Sequence, residues 1–285
     1  MRYLYILIGI VLHSAQRVQA VAPYKPADSI AITQLLSKPD TSQRALPLFY
    51  ARQFLGRPYV AHTLELFPDK EQLIVNTREL DCTTLVETVT ALVICAQEGK
   101  TSFDDYCFVL RQLRYRDGKI DGYPSRLHYF SDWIDDNTRM GFVTEVQQQQ
   151  APFSEVQNVS VDYMSKHPSA YVELSRHPEM VKDIIAQERQ LTGHRYRYIP
   201  KSQVTNSKAL RSAVRDGDII AITTKKAGLD IAHLGFAVWQ ADGLHLLNAS
   251  MVHKKVVLEP MTLGQYLSKH PSHTGIRVVR INEKC

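Results

Sequence analysis

The hydrophobic pattern of the chain changes near residue 200. Before this point apolar residues recur at three- and four-residue spacing, and after it short alternating or apolar runs follow one another closely. The pattern predicts helices over 28–38, 43–55, 82–98, 103–114, 127–138 and 178–191. It predicts strands over Ile219–Thr224, Ala232–Gln240, Leu244–Ala249, Lys255–Leu258 and Ile276–Ile281. Strands this close in sequence pair antiparallel. We therefore predict an α+β fold, with helices packed on one side of a C-terminal antiparallel β-sheet.

The first twenty residues have the pattern of a secretory signal peptide. Arg2 precedes an apolar run from Leu4 to Leu12, and Ala20 lies two places after Val18. A buried N-terminal helix is the alternative. We predict that residues 1–20 are removed, that residues 21–285 are the mature chain, and that the protein is secreted into the periplasm.

The net charge argues against a nucleic-acid partner, and the hydropathy argues against a membrane-spanning segment. The net charge of +5 falls by two when Arg2 and Arg17 leave with the signal peptide, and so mild a surplus is not typical of nucleic-acid binding. No later apolar run reaches the roughly 20 residues that a membrane-spanning helix needs. We predict no nucleic-acid partner and no integral membrane segment in the mature chain.

The four cysteines, at 82, 95, 107 and 285, include no CxxC pair. In a chain that enters an oxidising compartment, this sparse pattern indicates a working thiol rather than a disulfide scaffold. Cys95 and Cys107 either pair or are buried apolar residues on successive helices, and we favour burial.

The histidines give little support for a metal centre. None of the eleven belongs to an HExxH pair. The tetrapeptide Ser-Lys/Arg-His-Pro occurs at 165–168, 175–178 and 268–271. A His-rich metal site is one interpretation, but a residue before proline is driven out of the helical region, so we expect these segments to end helices. We predict no metal and no cofactor.

Cys82 opens one of the predicted helices. Positions 82, 85, 86, 89, 93 and 96 fall on one helical face, and Asp81 is a suitable N-cap. The thiol would then lie in the first turn, where the helix dipole favours the thiolate and lowers its pKa. A capping box of Thr84 and Glu87 is a competing helix start that would leave Cys82 outside the dipole. A buried structural cysteine is the other alternative.

His233 and Asn248 complete a possible catalytic group. A cysteine nucleophile needs a base, and the base needs a third group that fixes its tautomer. His233 begins one predicted strand, and Asn248 on the next strand can accept a hydrogen bond from its ring. His233 is alternatively a core histidine, and Asn248 begins an Asn-Ala-Ser glycosylation sequon.

Five short motifs in this order resemble the NlpC-type cysteine hydrolases of bacterial cell walls. The motifs are Gly56–Tyr59, Leu80–Thr84, Asp216–Ile220, His233–Gly235 and Asn248–Ser250. Three further stretches resemble the N-acetylmuramoyl-L-alanine amidase-like subgroup: Phe54–Glu65, Asp121–Tyr123 and Ser125–Phe130. The resemblance extends from about Ala45 to Ile281. It implies a papain-like fold, in one domain over residues 21–285 with helical insertions.

The resemblance also implies roles for individual residues. Cys82 would be the nucleophile, His233 the base and Asn248 the third polar member, where the subgroup is expected to have histidine. Candidate substrate contacts are Tyr59, Asp81, Arg126 and Tyr129. Arg126 and Tyr129 would lie one helical turn apart, where they either contact substrate or pack against the domain.

We therefore predict a peptidoglycan amidase that acts on muropeptides and hydrolyses the amide between N-acetylmuramic acid and L-alanine. An endopeptidase that cuts between D-glutamate and the diamino acid of the stem peptide is the alternative within enzymes. A non-catalytic wall-binding module of the same fold is the alternative outside them. The sequence predicts no oligomeric state.

Overall fold

A computed structural model describes residues 23–37, 46–67 and 69–283. The predicted signal peptide and Cys285 lie outside these residues. The helices of the described part are α1 (Pro26–Leu36), α2 (Leu46–Arg52), α3 (Cys82–Gln97), α4 (Phe103–Arg114), α5 (Phe130–Arg139), α6 (Tyr163–Lys166), α7 (Val172–Arg176), α8 (Val181–Leu191), α9 (Lys208–Ala213) and α10 (Leu263–Ser268). The strands are β1 (Val143–Val146), β2 (Glu155–Asn158), β3 (Arg195–Pro200), β4 (Ile219–Thr224), β5 (Ile231–Trp239), β6 (Leu244–Ser250), β7 (Lys255–Leu258) and β8 (His273–Ile281).

Helix α3 is the central helix of the larger apolar core. Its start is set by a capping box in which Asp81 accepts a hydrogen bond from the Thr84 backbone N–H at 2.8 Å, and the Thr84 hydroxyl accepts one from the Asp81 N–H at 2.9 Å. The competing start at Thr84 and Glu87 is therefore wrong. Glu87 is instead buried in an ion pair with Arg114 of α4, at 2.7 Å.

All the strand pairs are antiparallel, and the α+β class is confirmed. The strands follow the order β2, β3, β8, β4, β5, β6, β7, with β1 also paired to β8. In the centre of the sheet, Ile220 of β4 lies opposite Gly235 of β5 and Val278 of β8. The five predicted strands are confirmed, with small shifts at their ends.

The sequence predicted a sheet confined to the C-terminal part of the chain, but the observed sheet extends further. Strands β1, β2 and β3 precede or reach residue 200, and β1 pairs with β8 at the opposite end of the chain. β1 and β2 have only four residues each and are largely half-buried or exposed, so neither has a strong apolar pattern of its own. Distant pairing partners decide their conformation.

Helices also cover both faces of the sheet, which corrects the predicted packing on one side. Residues of α1 to α5 meet one face, on which Ile219 and Phe236 are fully buried. On the other face, Ile220 and Ile222 pack in a second apolar cluster with residues of α9 and α10. The short helices α9 and α10, of six residues each, were not predicted.

Smaller predictions can also be compared with the structure. Cys95 is buried and Cys107 half-buried on the successive helices α3 and α4, and both thiols are free. The His-Pro segments follow the ends of α6, α7 and α10, as predicted. Within the described ranges, no helix combines the length and apolar character needed to cross a membrane.

Candidate active site

Cys82 and His233 line the same cavity, which has a volume of about 170 Å³. Cys82 is the first residue of α3 and retains partial exposure. Its position follows directly from the Asp81 cap. The start of β5 provides the facing wall. The other lining residues are Thr83, His128, Tyr129, Phe130, Met164, Tyr171, Leu229, Asp230, Ile231, Ala232 and Leu234.

The Cys82 thiol is held in its protonated form. Burial raises its pKa to about 12, and the neighbouring Asp81 carboxylate raises it further. Hydrogen bonds from the Leu234 backbone N–H and from the Thr83 side chain favour the thiolate, but they do not offset burial. The expectation of a low thiol pKa is therefore wrong, because desolvation outweighs the helix dipole at this position.

His233 is joined to Asn248, with 3.0 Å between the ring Nε2 and the amide Oδ1. The Asn248 amide nitrogen donates to the Leu246 carbonyl at 3.2 Å, so its oxygen is the atom that faces the ring. Nε2 must then carry the proton, and Nδ1 is left as the acceptor of the imidazole. Burial lowers the pKa of His233 below its ordinary value of 6.5, although the bond to Asn248 raises it.

Neighbouring strands bring His233 and Asn248 together. Phe236 of β5 lies opposite Leu247 of β6, so the two polar residues project diagonally across the same strand pair. Gly235 lies between them, and a Cβ there would come within 2.7 Å of the Leu247 carbonyl oxygen. Close packing against β6 therefore favours glycine at position 235 of the His233–Gly235 motif.

Asn248 is unsuited to the alternative role as a glycosylation site. Its side chain is only 1% exposed and both of its polar atoms are hydrogen bonded. A glycan at this position would require that strand β6 open.

Tyr59 lies beside the start of α3. It forms an isolated parallel β-bridge with Leu80, and its backbone N–H donates to the Lys254 carbonyl at 3.0 Å. Burial raises the pKa of its phenol, and negative charge on Cys82 or Asp81 raises it further. The phenol is therefore a neutral hydrogen-bond donor close to the thiol.

Three other predicted substrate contacts already have partners within the protein. Asp81 caps α3. Arg126 is buried and forms an ion pair with Glu71, with 2.6 Å between Nη2 and Oε2. The hydroxyl of Tyr129 donates to Glu188 at 2.7 Å, although its ring lines the cavity.

Arg126 and Tyr129 also do not share a helical turn. Helix α5 begins at Phe130, with Tyr129 as its N-cap residue, so both residues precede the helix. The predicted helix began at residue 127, and no capping side chain marks the true start.

Sequence reasoning missed one wall of the cavity and an aromatic cluster behind His233. Met164 and Tyr171 reach the cavity from the segment between β2 and β3. Tyr266 of α10 lies 6.4 Å from His233 between ring centroids, and His270 and His273 stack beyond it. The available signal was the third His-Pro segment, which contains His270.

The described part of the chain brings together no group of three or more histidine, cysteine, aspartate or glutamate side chains suited to a metal ion. Cys82 and His233 bring a thiol and an imidazole to the cavity, and the amide of Asn248 bonds to the imidazole. A thiol and an imidazole are the two groups that a cysteine nucleophile and its base require.

Comparison with known proteins places the chain in a family. The family model described as AmiA-like, N-acetylmuramoyl-L-alanine amidase-like, matches residues 50–276. The chain therefore belongs to the N-acetylmuramoyl-L-alanine amidase-like family. No curated protein matches it.

Solved structures agree in fold. An N-acetylmuramoyl-L-alanine amidase from Bacteroides uniformis is 42% identical over 83% of this chain and 97% of its own, with a TM-score of 0.77. A chain from Bacteroides fragilis, provisionally called a xylanase, is 43% identical over 81% of this chain and 99% of its own, with a TM-score of 0.76. A Legionella pneumophila protein shares the fold at 23% identity over 90% of this chain and 95% of its own, with a TM-score of 0.71.

Proposed function

We propose that this chain is a cysteine-dependent peptidoglycan amidase of the NlpC-type, papain-like class. It would hydrolyse the amide between N-acetylmuramic acid and L-alanine in muropeptides. The observation that carries the proposal is that Cys82 and His233 line one cavity while Asn248 holds the Nε2–H of the imidazole. Family membership and the name of the Bacteroides uniformis relative support the choice of bond.

In the first step, sulfur attacks the lactyl carbonyl carbon of the muramic acid. Nδ1 of His233 takes the thiol proton as the carbon–sulfur bond forms, and the carbonyl oxygen becomes an oxyanion. The backbone N–H of Cys82 lacks an intrahelical partner, so it can donate to this oxyanion, and Tyr59 is a second candidate donor. The amide carbon–nitrogen bond then breaks, and the imidazolium returns the proton to the L-alanine amine.

In the second step, water hydrolyses the thioester. Nδ1 of His233 takes a proton from the water as its oxygen attacks the acyl carbon. The carbon–sulfur bond breaks, and the proton returns to sulfur. Throughout both steps Asn248 keeps the imidazole in one tautomer.

Both catalytic groups are neutral at rest in this mechanism. The raised pKa of Cys82 and the lowered pKa of His233 favour the neutral thiol and imidazole over a thiolate–imidazolium pair before substrate binds. The proton therefore moves during the attack, as in a general-base mechanism. Since His233 must be unprotonated, activity should rise with pH through its lowered pKa and be lost below it.

The cavity is smaller than the roughly 300–1,000 Å³ typical of sites for drug-sized ligands. It would accept one unit of the substrate beside the scissile amide. The remaining sugar and peptide would lie along the open surface.

The site gives no support to glycoside hydrolysis, the activity in the provisional name of the Bacteroides fragilis relative. Glycosidases generally use two carboxylic acids flanking the glycosidic bond. Asp230 is the carboxylate among the lining residues, and it is buried, with Oδ2 accepting from the Ser131 N–H at 2.6 Å.

The test is to incubate the purified mature protein with defined muropeptides and identify the products by mass spectrometry. Release of an intact stem peptide with a free L-alanine amine supports the proposal, and Cys82→Ala serves as the control. Products cut after D-glutamate would indicate the endopeptidase instead. Secretion to the periplasm is part of the proposal and is tested by fractionating cells that express the full chain.

A further inference from the structure

The hexapeptide Tyr-Met/Leu-Ser-Lys-His-Pro occurs twice, at 163–168 and 266–271. Both copies have the same local structure. In the first copy, Nδ1 of His167 lies 2.9 Å from the Tyr163 carbonyl, and the two rings stack at 4.4 Å. In the second, Nδ1 of His270 lies 2.7 Å from the Tyr266 carbonyl, and the ring centroids are 4.3 Å apart with the planes tilted by 34°.

The two copies differ in the surroundings of their histidines. His167 is exposed, and its neighbour Lys166 forms a surface ion pair with Asp162. The second copy is packed against the candidate active site, since the ring of Tyr266 lies 6.4 Å from that of His233 with 30° between the planes. Burial raises the pKa of Tyr266, and negative charge on Glu259 or Cys82 raises it further.

A third imidazole extends the stack. The rings of His270 and His273 are nearly parallel, 4.7 Å apart with 14° between their planes. His273 is 8% exposed, and its Nδ1 has no hydrogen-bond partner among the described residues. Burial and positive charge on His270 hold the pKa of His273 at about 4, so His273 is neutral at physiological pH.

We propose that His270 is a positioning residue that keeps the candidate base His233 unprotonated in mildly acidic conditions. Nδ1 of its ring lies 2.7 Å from the Tyr266 carbonyl, and the ring itself lies 4.3 Å from the Tyr266 ring, which is 6.4 Å from the ring of His233. Both imidazoles therefore contact the same tyrosine. Like charges this near each other repel, so positive charge on His270 opposes protonation of His233. The inference rests on the proposed function, because only a catalytic role for His233 makes its protonation state matter.

The other charged groups that act on His233 come from different elements. Asp81 before α3 and Glu259 after β7 favour its protonation, whereas His270 opposes it. The remaining titratable neighbours are Cys82, Tyr266 and His273. Within this set, His270 is the group whose positive charge lowers the pKa of both His233 and His273.

The test compares His270→Gln with His167→Gln, the matched change in the first copy. The titration of His233 is followed by NMR of its ring signals, which does not depend on activity. In His270→Gln we expect the His233 midpoint to rise by about half a pH unit or more. The acid limb of kcat/KM on a defined muropeptide should move in the same direction. His167→Gln should leave both unchanged.

An unchanged His233 midpoint in His270→Gln, or an equal shift in His167→Gln, would overturn the inference. His270→Asn is the second variant should the glutamine variant melt at a lower temperature than wild type. If the wild-type protein hydrolyses no muropeptide, the proposed function fails, but the NMR titration still decides the effect of His270 on His233.

Discussion

At the scale of single residues, the proposed chemistry depends on the Cys82 thiol, whose pKa burial raises. Replacing Cys82 by Ala or Ser should abolish hydrolysis, because neither variant can form the thioester. Loss of a nucleophile costs roughly a million-fold in a comparable serine enzyme. The residue is partly exposed at the first turn of α3, so the fold should be retained. Muropeptide turnover and thermal melting check both statements, and turnover near that of wild type would exclude the mechanism.

A neutral thiol at Cys82 predicts a particular pH dependence of its alkylation rate. Since the pKa of Cys82 is about 12, its thiolate fraction should rise about tenfold per pH unit across the neutral range, with no plateau. Burial raises the pKa of Cys107 on α4 to about the same value, so this thiol is an internal control. Iodoacetamide labelling followed by mass spectrometry measures both sites. A plateau for Cys82 near neutral pH would mean that a thiolate–imidazolium pair forms at rest.

A slowly alkylated Cys82 would not favour a non-catalytic module. In the general-base mechanism the thiolate arises only as His233 takes the proton, so low resting reactivity and catalysis are compatible. The sequence indicated both residues as candidates, and the structure brings them to one cavity, but it gave the wrong sign for the shift of the thiol pKa. Burial by the start of β5 and the segment around Tyr129 depends on tertiary packing, which a helix N-terminus alone does not reveal.

Asn248 should matter less than the two groups it supports. It does not bond to substrate, and its neutral amide adds no charge to steady an imidazolium. We expect Asn248→Ala to lose about ten- to a thousand-fold in kcat. Asn248→His keeps an acceptor nitrogen and should retain more activity. Full turnover in the alanine variant on one muropeptide would remove Asn248 from the site.

At the scale of elements, a buried polar network links strands β1 and β8 to the start of β5. Arg277 of β8 pairs with Glu145 of β1, and its Nη1 donates to the Ser131 hydroxyl at 2.6 Å. Ser131 in turn donates its backbone N–H to Asp230, three residues before His233. The network therefore holds the end of β5 that carries the candidate base.

Removing Arg277 should destabilise the protein strongly. Its side chain is fully buried, and Arg277→Met would leave the buried Glu145 carboxylate unpaired. Such a loss costs about 3–5 kcal/mol. Lys166→Met, at an exposed pair with Asp162, should cost only about 0–1 kcal/mol. Urea unfolding measures both, and equal small effects would show that the Arg277 network adds no net stability.

The elements differ in how far their own sequences predict them. Helix α3 and strands β4 and β7 begin at the predicted residues, because local caps or continuous apolar runs define them. Helix α5 and strands β1 and β2 depend on partners far along the chain, such as Asn282 and Ile281 beside β1. The Arg277 network is of the same kind, since its members come from four separate segments.

At the scale of the whole molecule, the sheet is an internal layer rather than the exposed back of a helical domain. The alternation along β4 sends Ile219 into the core with α1 to α5 and Ile220 into the cluster with α9 and α10. This second cover matters for the site, because α10 carries Tyr266 and ends next to His270. A one-sided arrangement would leave the aromatic cluster behind His233 without a support.

Substitutions at Ile219 and Ile220 of β4 distinguish a sheet covered by helices on both faces from one covered on a single face. Ile219 and Ile220 are both fully buried, on opposite faces of the same central strand. With helices on both faces, Ile219→Ala and Ile220→Ala should each cost about 2–5 kcal/mol, since each leaves a cavity in a packed layer. With helices on one face only, the Ile220 variant would be nearly neutral, because its side chain would already contact water. The free energy of unfolding of both variants, measured in urea, decides between these outcomes. Ile30→Ala is the control for a surface substitution, because Ile30 on α1 is 57% exposed.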